Sequence, residues 1–178
     1  MPPIPQPLHQ LQPVERNTIT EPRHAPILET RQLRWPDEAA CQAFAAQLAQ
    51  QPALRNAYLE LHGELGAGKT TFTRHLLRAL GVAGRIKSPT FAVMEPYALP
   101  GLNVSHFDFY RFDADHDWED AGFRDVFAAP GLKIAEWPRR AGPALPLPDL
   151  RLSLTAVDDH RRDVLAEAFT PAGQELLR

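Results

Sequence analysis

Cysteine, long apolar runs and excess positive charge are all scarce in this chain of 178 residues. The single cysteine, Cys41, cannot form an internal disulfide, so nothing in the sequence requires an oxidising compartment. No apolar run approaches the roughly 20 residues that cross a bilayer. A formal net charge of -3 argues against a broad electrostatic grip on nucleic acid, although it leaves room for a local basic patch. We therefore expect a soluble, cytoplasmic protein with no signal peptide and no membrane partner.

The composition is that of one folded domain preceded by an unusual segment. With 44% hydrophobic and 23% charged residues, most of the chain can build a globular core. Residues 1–27 are instead interrupted by Pro2, Pro3, Pro5, Pro7, Pro13, Pro22 and Pro26. Such a segment is expected to stay extended or disordered, and a polyproline docking motif is the alternative. We predict an N-terminal extension over 1–27, a domain over 28–170 and a short tail or helix over 171–178.

Apolar patterns along the domain predict alternating strands and helices. Short apolar runs predict strands at 28–33, 57–61, 91–97, 104–109, 132–137, 150–155 and 164–169. Helical spacing predicts helices that follow Pro36, begin at Thr70 and cover 118–129. A strand–loop–helix unit followed by more strands indicates an α/β fold with a mostly parallel central sheet flanked by helices.

A glycine-rich stretch directly after the strand at 57–61 carries the strongest chemical signal. The pattern G-x-x-x-x-G-K-[ST] is matched in full by Gly63, Glu64, Leu65, Gly66, Ala67, Gly68, Lys69 and Thr70. Such a loop turns backbone N–H groups toward one anion, and the following helix directs its positive dipole end at the phosphates. Lys69 should reach the β- and γ-phosphates and Thr70 should ligate Mg²⁺, while Thr71 contacts the α-phosphate or caps the helix. The motif predicts a single P-loop NTPase domain that binds ATP and Mg²⁺.

Two acidic residues close predicted strands and are candidates for phosphoryl-transfer chemistry. Asp108 ends the strand that contains His106, and Glu136 lies at the end of the strand at 132–137. Because the carboxyl ends of parallel strands border the ligand crevice, one carboxylate would hold Mg²⁺ and the other would position a water. Spacing alone leaves open which does which, and solvated strand-end charges are the alternative. His106 is expected to be a packed core residue rather than a ligand.

A polar loop, Lys-Ser-Pro-Thr at 87–90, lies between the P-loop helix and the next predicted strand. In nucleotide switches this interval often senses the γ-phosphate, which makes Ser88, Pro89 and Thr90 candidates for a switch-like loop. An ordinary turn fits the same residues equally well.

Several motifs follow one another in an order that is more specific than any of them alone. They are the P-loop with Thr71, Lys-Ser-Pro-Thr at 87–90, His-Phe-Asp-Phe-Tyr-Arg at 106–111, Gly-Phe-Arg-Asp at 122–125 and Glu-Trp-Pro at 136–138. Over about residues 33–169 the chain resembles the bacterial TsaE (YjeE-type) ATPase family, which serves in the synthesis of threonylcarbamoyladenosine at position 37 of tRNA. The resemblance implies an ATP-hydrolysing subunit, weak when isolated, that acts on the TsaD–TsaB pair and reaches tRNA indirectly through that complex.

The resemblance also implies roles for individual residues. Thr70 and Glu136 match the family's magnesium-associated positions, and Asp108 matches the acidic residue that is important for hydrolysis. Lys69 matches the P-loop lysine, and Trp137 matches the tryptophan beside the catalytic glutamate.

Adenine-side contacts are implied near both ends of the domain. The stretch around Asp37 matches an N-terminal contact, and Arg161 or Arg162 matches a C-terminal one. The chain departs from the family at 118–122, where Trp-Glu-Asp-Ala-Gly replaces the common Leu-Glu-Phe-Met-Gly, so partner contacts there are expected to differ. The extension over 1–27 is not part of the family core.

Two other functions share the P-loop. A small-molecule or nucleoside kinase would need a lid with several arginines, for which Arg139 and Arg140 are the adjacent pair before the C-terminal strands. A nucleotide-sensing module without useful hydrolysis is the other alternative, but the strand-end residues Asp108 and Glu136 argue against it.

Overall fold

One seven-stranded sheet organises the part of the chain that the computed structural model describes, residues 25–112 and 122–178. Its strands are β1 (Glu29–Trp35), β2 (Tyr58–His62), β3 (Met94–Leu99), β4 (Leu102–Asp108), β5 (Leu132–Glu136), β6 (Leu150–Ala156) and β7 (Arg162–Ala168). The helices in these residues are α1 (Glu38–Ala49), α2 (Lys69–Ala79), α3 (Phe123–Ala128) and α4 (Pro171–Leu176). Short 3-10 turns cover Pro52–Asn56 and Pro138–Ala144. Within this described part, none of the helices combines the length and the apolar character needed to cross a membrane.

The strand order is β1-β7-β6-β2-β5-β4-β3, and the four central strands β6, β2, β5 and β4 run parallel. The outer pairs β1–β7, β6–β7 and β3–β4 are antiparallel. Short turns join the strands of the last two pairs, whereas parallel neighbours need a crossover. Every residue of β5 is buried, as expected for a parallel strand covered on both faces. The predicted α/β fold with a mostly parallel central sheet is confirmed.

Two apolar clusters lie on opposite faces of the sheet. On one face, α1 and α2 cover the parallel strands, with Phe72 and Leu76 of α2 fully buried against residues that include Ile134. On the other face, α3 contributes Phe123 to an aromatic cluster that also contains Tyr58, Phe107, Phe109 and Phe112. Because side chains alternate along a strand, Glu136 points to the same side as Ile134, toward α2. The packing thus brings the end of β5 to the beginning of α2.

Two predicted elements differ from the observed ones. The strand predicted at 91–97 begins only at Met94, because Val93 has φ 64 and donates its N–H to Pro89 O at 2.6 Å in a turn. A β-branched residue at positive φ does not continue a strand. The helix predicted over 118–129 is seen as α3, and residues 118–121 lie outside the described residues. Residues 1–24 of the predicted extension lie outside them as well.

The C-terminal residues form the short helix α4. Thr170 caps it by accepting a hydrogen bond from the Gly173 N–H at 3.1 Å, and its hydroxyl donates to Asp149 at 2.5 Å. Leu176 and Leu177 are buried in the larger apolar cluster.

Candidate nucleotide-binding site

The phosphate loop joins β2 to α2 at the carboxyl edge of the parallel strands. Gly63 has φ 139, and a Cβ at this position would lie 2.4 Å from the Leu154 carbonyl oxygen of β6, so the turn requires glycine. Gly68 has φ 106 and directly precedes α2. Since glycine offers no side chain to cap the helix, the first N–H groups of α2 remain available to an anion.

Lys69 folds back onto the loop that precedes it. Its Nζ donates to the carbonyl oxygens of Gly63 at 2.6 Å and Glu64 at 2.8 Å. Burial lowers the pKa of Lys69, and the negative charges of Glu136 and Asp108 oppose that change. To reach a β- or γ-phosphate, the ammonium has to exchange these carbonyl oxygens for phosphate oxygens.

Trp137 forms a wall beside Lys69. The Lys69 Nζ lies 4.0 Å from the centroid of the Trp137 ring, within cation–π range. The centroids of the Tyr110 and Trp137 rings are 5.1 Å apart. Trp137 has φ 56 and ψ 43, a left-handed conformation that costs roughly 1–3 kcal/mol for a residue other than glycine. This turn redirects the chain at the end of β5 and keeps the indole beside the phosphate loop.

Glu136 connects the sheet to the phosphate loop. It lies opposite Leu61 of β2, the strand that leads into the loop. Its Oε2 accepts a hydrogen bond from the Thr70 hydroxyl at 2.8 Å, and its Oε1 lies 2.8 Å from His106 Nε2. The structure therefore brings together Thr70 and Glu136, the residues matched to magnesium, and adds His106. His106 is fully buried, as its strand position predicts, but its contact with Glu136 was not predicted.

Asp108 anchors the switch-like loop to the sheet. Its Oδ2 accepts hydrogen bonds from the hydroxyls of Ser88 and Thr90, the latter at 2.9 Å, and its Oδ1 accepts one from the Tyr110 N–H at 2.9 Å. Pro89 between the two hydroxyl residues is buried. The loop is thus held by Asp108, which lies directly opposite Glu136 in the register of β4 and β5.

A cleft of about 340 Å³ lies between the phosphate loop and these carboxylates. Its lining includes Leu65, Gly66, Gly68, Lys69, Thr70, Thr71, Ser88, Thr90, Asp108, Tyr110, Glu136 and Trp137. Mg²⁺ prefers oxygen ligands and usually takes one or two carboxylates together with phosphate oxygens and waters. One hydroxyl, two carboxylates, a lysine and a curled loop therefore form a donor set that fits a nucleoside triphosphate and its Mg²⁺.

A smaller cleft of about 140 Å³ adjoins the first one, and Thr71 lines both. Arg162 lines the smaller cleft and donates from Nε to the Ala67 carbonyl oxygen at 2.9 Å, which fixes the guanidinium against the phosphate loop. Asp37 lines it as well, and its Oδ1 caps α1 by accepting from the Ala40 N–H at 2.9 Å. The two residues predicted for the adenine side therefore lie together, on the far side of the loop from the carboxylates.

The structure distinguishes the two arginines that the sequence left as alternatives. Arg161 pairs with Asp158 at 2.6 Å on an exposed turn, whereas Arg162 reaches the cleft. Cys41 also lines this cleft. Burial raises the pKa of the Cys41 thiol to about 12, so it presents a neutral group to the cleft. Its place there depends on how α1 packs, which the local sequence pattern does not encode.

A family model described as "Threonylcarbamoyl adenosine biosynthesis protein TsaE" matches residues 35–164, well over half of the chain. The chain belongs to the TsaE family. The resemblance inferred from the ordered motifs is thereby confirmed, and the matched region includes the phosphate loop, the switch-like loop and both carboxylates.

Curated TsaE proteins cover much of the chain. The tRNA threonylcarbamoyladenosine biosynthesis protein TsaE of Haemophilus influenzae is 37% identical over 117 residues, which span 66% of this chain and 73% of that protein. The protein of the same name from Bacillus subtilis is 32% identical over 147 residues, 80% of this chain and 88% of the relative. The crystal structure of YdiB from Bacillus subtilis superposes with a TM-score of 0.69 at 27% identity, covering 84% of this chain and 92% of that one.

Proposed function

We propose that this TsaE-family chain is the ATP-hydrolysing subunit of the machinery that makes N6-threonylcarbamoyladenosine (t6A37) in tRNA. The observation that carries the proposal is the hydrogen bond between Thr70 of a complete phosphate loop and Glu136 of the adjacent parallel strand. A hydroxyl at the start of α2 and a carboxylate at the next strand end form the pair that a P-loop enzyme uses to hold Mg²⁺.

The residues of the larger cleft have separate roles in the transfer of the γ-phosphate to water. The loop N–H groups and Lys69 would hold the triphosphate, and Thr70 with Glu136 would hold Mg²⁺, which neutralises charge on the phosphates when bound. Asp108 holds Ser88 and Thr90, so we assign it to the loop that faces the γ-phosphate and to the orientation of the attacking water. This assignment favours Glu136 over Asp108 as the carboxylate next to the metal.

Exposed apolar side chains at the larger cleft support an ATPase activity that depends on a partner protein. Leu65, Phe91 and Tyr110 are exposed by 76%, 86% and 37%, and Leu65 and Tyr110 line the cleft itself. Exposed apolar side chains that line a cleft, as Leu65 and Tyr110 do here, are typical of a surface that a partner covers. We assign the TsaD–TsaB pair as that partner, in the cytoplasm, with tRNA contacted through the complex and with weak ATP hydrolysis in its absence.

A reconstituted reaction with TsaD, TsaB, tRNA, an activated donor of the threonylcarbamoyl group, Mg²⁺ and ATP tests the proposal. Phosphate release and t6A formation over many turnovers should both require this chain, and Lys69→Ala should stop both. Arg31→Ala, which removes a cation from the distant strand β1, is the control and should leave both rates unchanged. Sustained t6A formation with Lys69→Ala would reject the proposal, and transfer of the γ-phosphate to a metabolite instead of water would favour a kinase.

A further inference from the structure

We propose that His106 positions Glu136 by donating a hydrogen bond from Nε2 to Oε1, which leaves Oε2 turned toward Thr70. The inference rests on the proposed function, because it concerns the carboxylate assigned to the metal. His106 has a positioning role and not a catalytic one, because it contacts Glu136 but does not itself line the cleft.

The geometry holds Glu136 at both oxygens. The Thr70 hydroxyl lies 2.8 Å from Oε2, and His106 Nε2 lies 2.8 Å from Oε1. The two partners come from different elements, α2 and β4, while Glu136 itself ends β5. Glu136 is 2% exposed and His106 is 0% exposed, so water does not compete for the contact between them.

The other ring nitrogen indicates which tautomer His106 adopts. Nδ1 is buried and has no hydrogen-bond partner within residues 25–112 and 122–178. A proton on Nδ1 would leave a buried donor unsatisfied there and would direct the Nε2 lone pair at the Glu136 carboxylate. A proton on Nε2 avoids both penalties, leaves Nδ1 only as an acceptor without a partner in the described part of the chain, and makes His106 a donor to Glu136.

Lys69 is a competing partner for the Glu136 carboxylate, which explains why Glu136 has to be held in place. The negative charge of Glu136 acts on the buried Lys69, whose ammonium is held by the carbonyl oxygens of Gly63 and Glu64. A Glu136 carboxylate that was free to rotate would be attracted to the Lys69 ammonium. If the two formed an ion pair, Glu136 would no longer be available to Mg²⁺ and Lys69 would no longer be available to the phosphates. The bond from His106 keeps Glu136 on the side of Thr70.

A matched set of variants separates a donor role from simple filling of space. His106→Gln retains an N–H donor on a side chain of similar reach, and His106→Leu removes the donor at a similar volume. His75→Leu is the control, because His75 of α2 pairs with Glu38 of α1 and has no hydrogen bond to Asp108 or Glu136. Loss of a residue that orients a metal-associated group typically costs about 10–100-fold in activity or metal affinity.

With the TsaD–TsaB pair present, we expect His106→Leu to lower kcat by about 10–100-fold and to change KM for ATP by less than about threefold. His106→Gln should recover most of kcat, and His75→Leu should match the wild type. Thermal unfolding of each variant identifies any loss that comes from misfolding. A fully active His106→Leu, or a folded His106→Gln no better than His106→Leu, would overturn the inference.

A second readout decides the inference even if the wild type does not hydrolyse ATP. Long-range ¹H–¹⁵N spectra of the histidine rings, compared with His106→Leu for assignment, should show the His106 proton on Nε2. The gain in affinity for a non-hydrolysable ATP analogue on adding Mg²⁺ should fall about tenfold in His106→Leu and persist in His106→Gln. A proton on Nδ1, or an unchanged Mg²⁺-dependent gain, would contradict His106 as the donor whatever the turnover shows.

Discussion

The two faces of the central strands each carry a buried glutamate, and the two are compensated in different ways. Glu60 on β2 receives hydrogen bonds from Tyr58 at 3.3 Å, from Arg151 at 3.1 Å and from His62, whose ring lies 2.9 Å away. Glu136 on β5 has His106 and the Thr70 hydroxyl as its partners.

The difference lies in the charge that each glutamate meets. The Arg151 guanidinium is bonded directly to Glu60, so this carboxylate already has a cation. Glu136 interacts electrostatically with Lys69, but the Lys69 ammonium is bonded to loop carbonyl oxygens instead. A buried carboxylate bonded to its own arginine has its charge compensated within the fold, whereas one bonded to a hydroxyl and an imidazole is suited to a metal ion. The comparison assigns a structural role to Glu60 on one face of the sheet and a role in ATP hydrolysis to Glu136 on the other face.

The largest expected effect follows from removing the charge of Glu136. Glu136→Gln keeps an oxygen for Thr70 but loses the negative charge, so we expect ATP turnover with TsaD and TsaB to fall by about 100-fold or more. Phosphate release measured in parallel with thermal unfolding checks this. Glu95→Gln on the edge strand β3 is the control and should turn over normally. Normal turnover by Glu136→Gln would contradict the assignment of chemistry to this face.

The matching change on the other face should affect stability instead. Glu60→Gln leaves the Arg151 guanidinium without its buried anion. Arg151 is 31% exposed, so we expect a loss of about 2 kcal/mol in the free energy of unfolding. Glu167→Gln is the control, since Glu167 lies 3.9 Å from the same arginine and should cost about 0.5 kcal/mol. Urea unfolding measures both. A stable but inactive Glu60→Gln would reverse the roles of the two faces.

The pH dependence of stability should show whether Glu60 is ionised in its network with His62 and Arg151. Burial alone would raise the pKa of Glu60, but His62 and Arg151 lower it below its ordinary value of 4.5. A lowered folded-state pKa means that Glu60 stabilises the fold fully above about pH 4.5 and that this contribution is lost as the pH falls through the folded-state pKa. The difference in unfolding free energy between wild type and Glu60→Gln should therefore shrink on acidification. A difference that stays constant down to about pH 3 would exclude an ionised Glu60 network.

The smallest expected effect concerns the wall beside Lys69. Trp137→Phe retains an aromatic face but weakens the cation–π contact, so ATP affinity should change by only about twofold. Because Lys69 leaves the indole when it reaches phosphate, ATP should change the tryptophan emission of the wild type, and Trp137→Phe should lose that change. Fluorescence titration measures both quantities. An unaltered response in Trp137→Phe would show that the signal arises elsewhere.

Local sequence predicts the parts of the site that are contiguous in the chain. The phosphate loop from Gly63 to Thr70 could be predicted because its geometry depends on glycines at fixed spacing and on the strand and helix around them. The positions of Asp108 and Glu136 near strand ends could be predicted because each is the last residue but one of a predicted strand, at 104–109 and 132–137. Both predictions use interactions within a few residues.

The remaining parts depend on contacts between distant elements. The bond from His106 to Glu136 joins residues 30 positions apart, and the bond from Arg151 to Glu60 joins residues 91 apart, so strand order decides which side chains meet. The turn at Val93 was also missed, because a valine at positive φ contradicts its intrinsic preference for a strand. The loop that Asp108 holds imposes that conformation through the turn between Pro89 and Val93.

Direct measurement of the metal tests the central claim most sharply. Mn²⁺ can replace Mg²⁺ as a paramagnetic probe, and its binding to the ADP complex can be titrated by electron paramagnetic resonance in the wild type, Glu136→Gln and Glu60→Gln. The account predicts that Glu136→Gln weakens Mn²⁺ binding by about 10–100-fold and that Glu60→Gln leaves it unchanged. Equal Mn²⁺ affinity in the wild type and Glu136→Gln would contradict it.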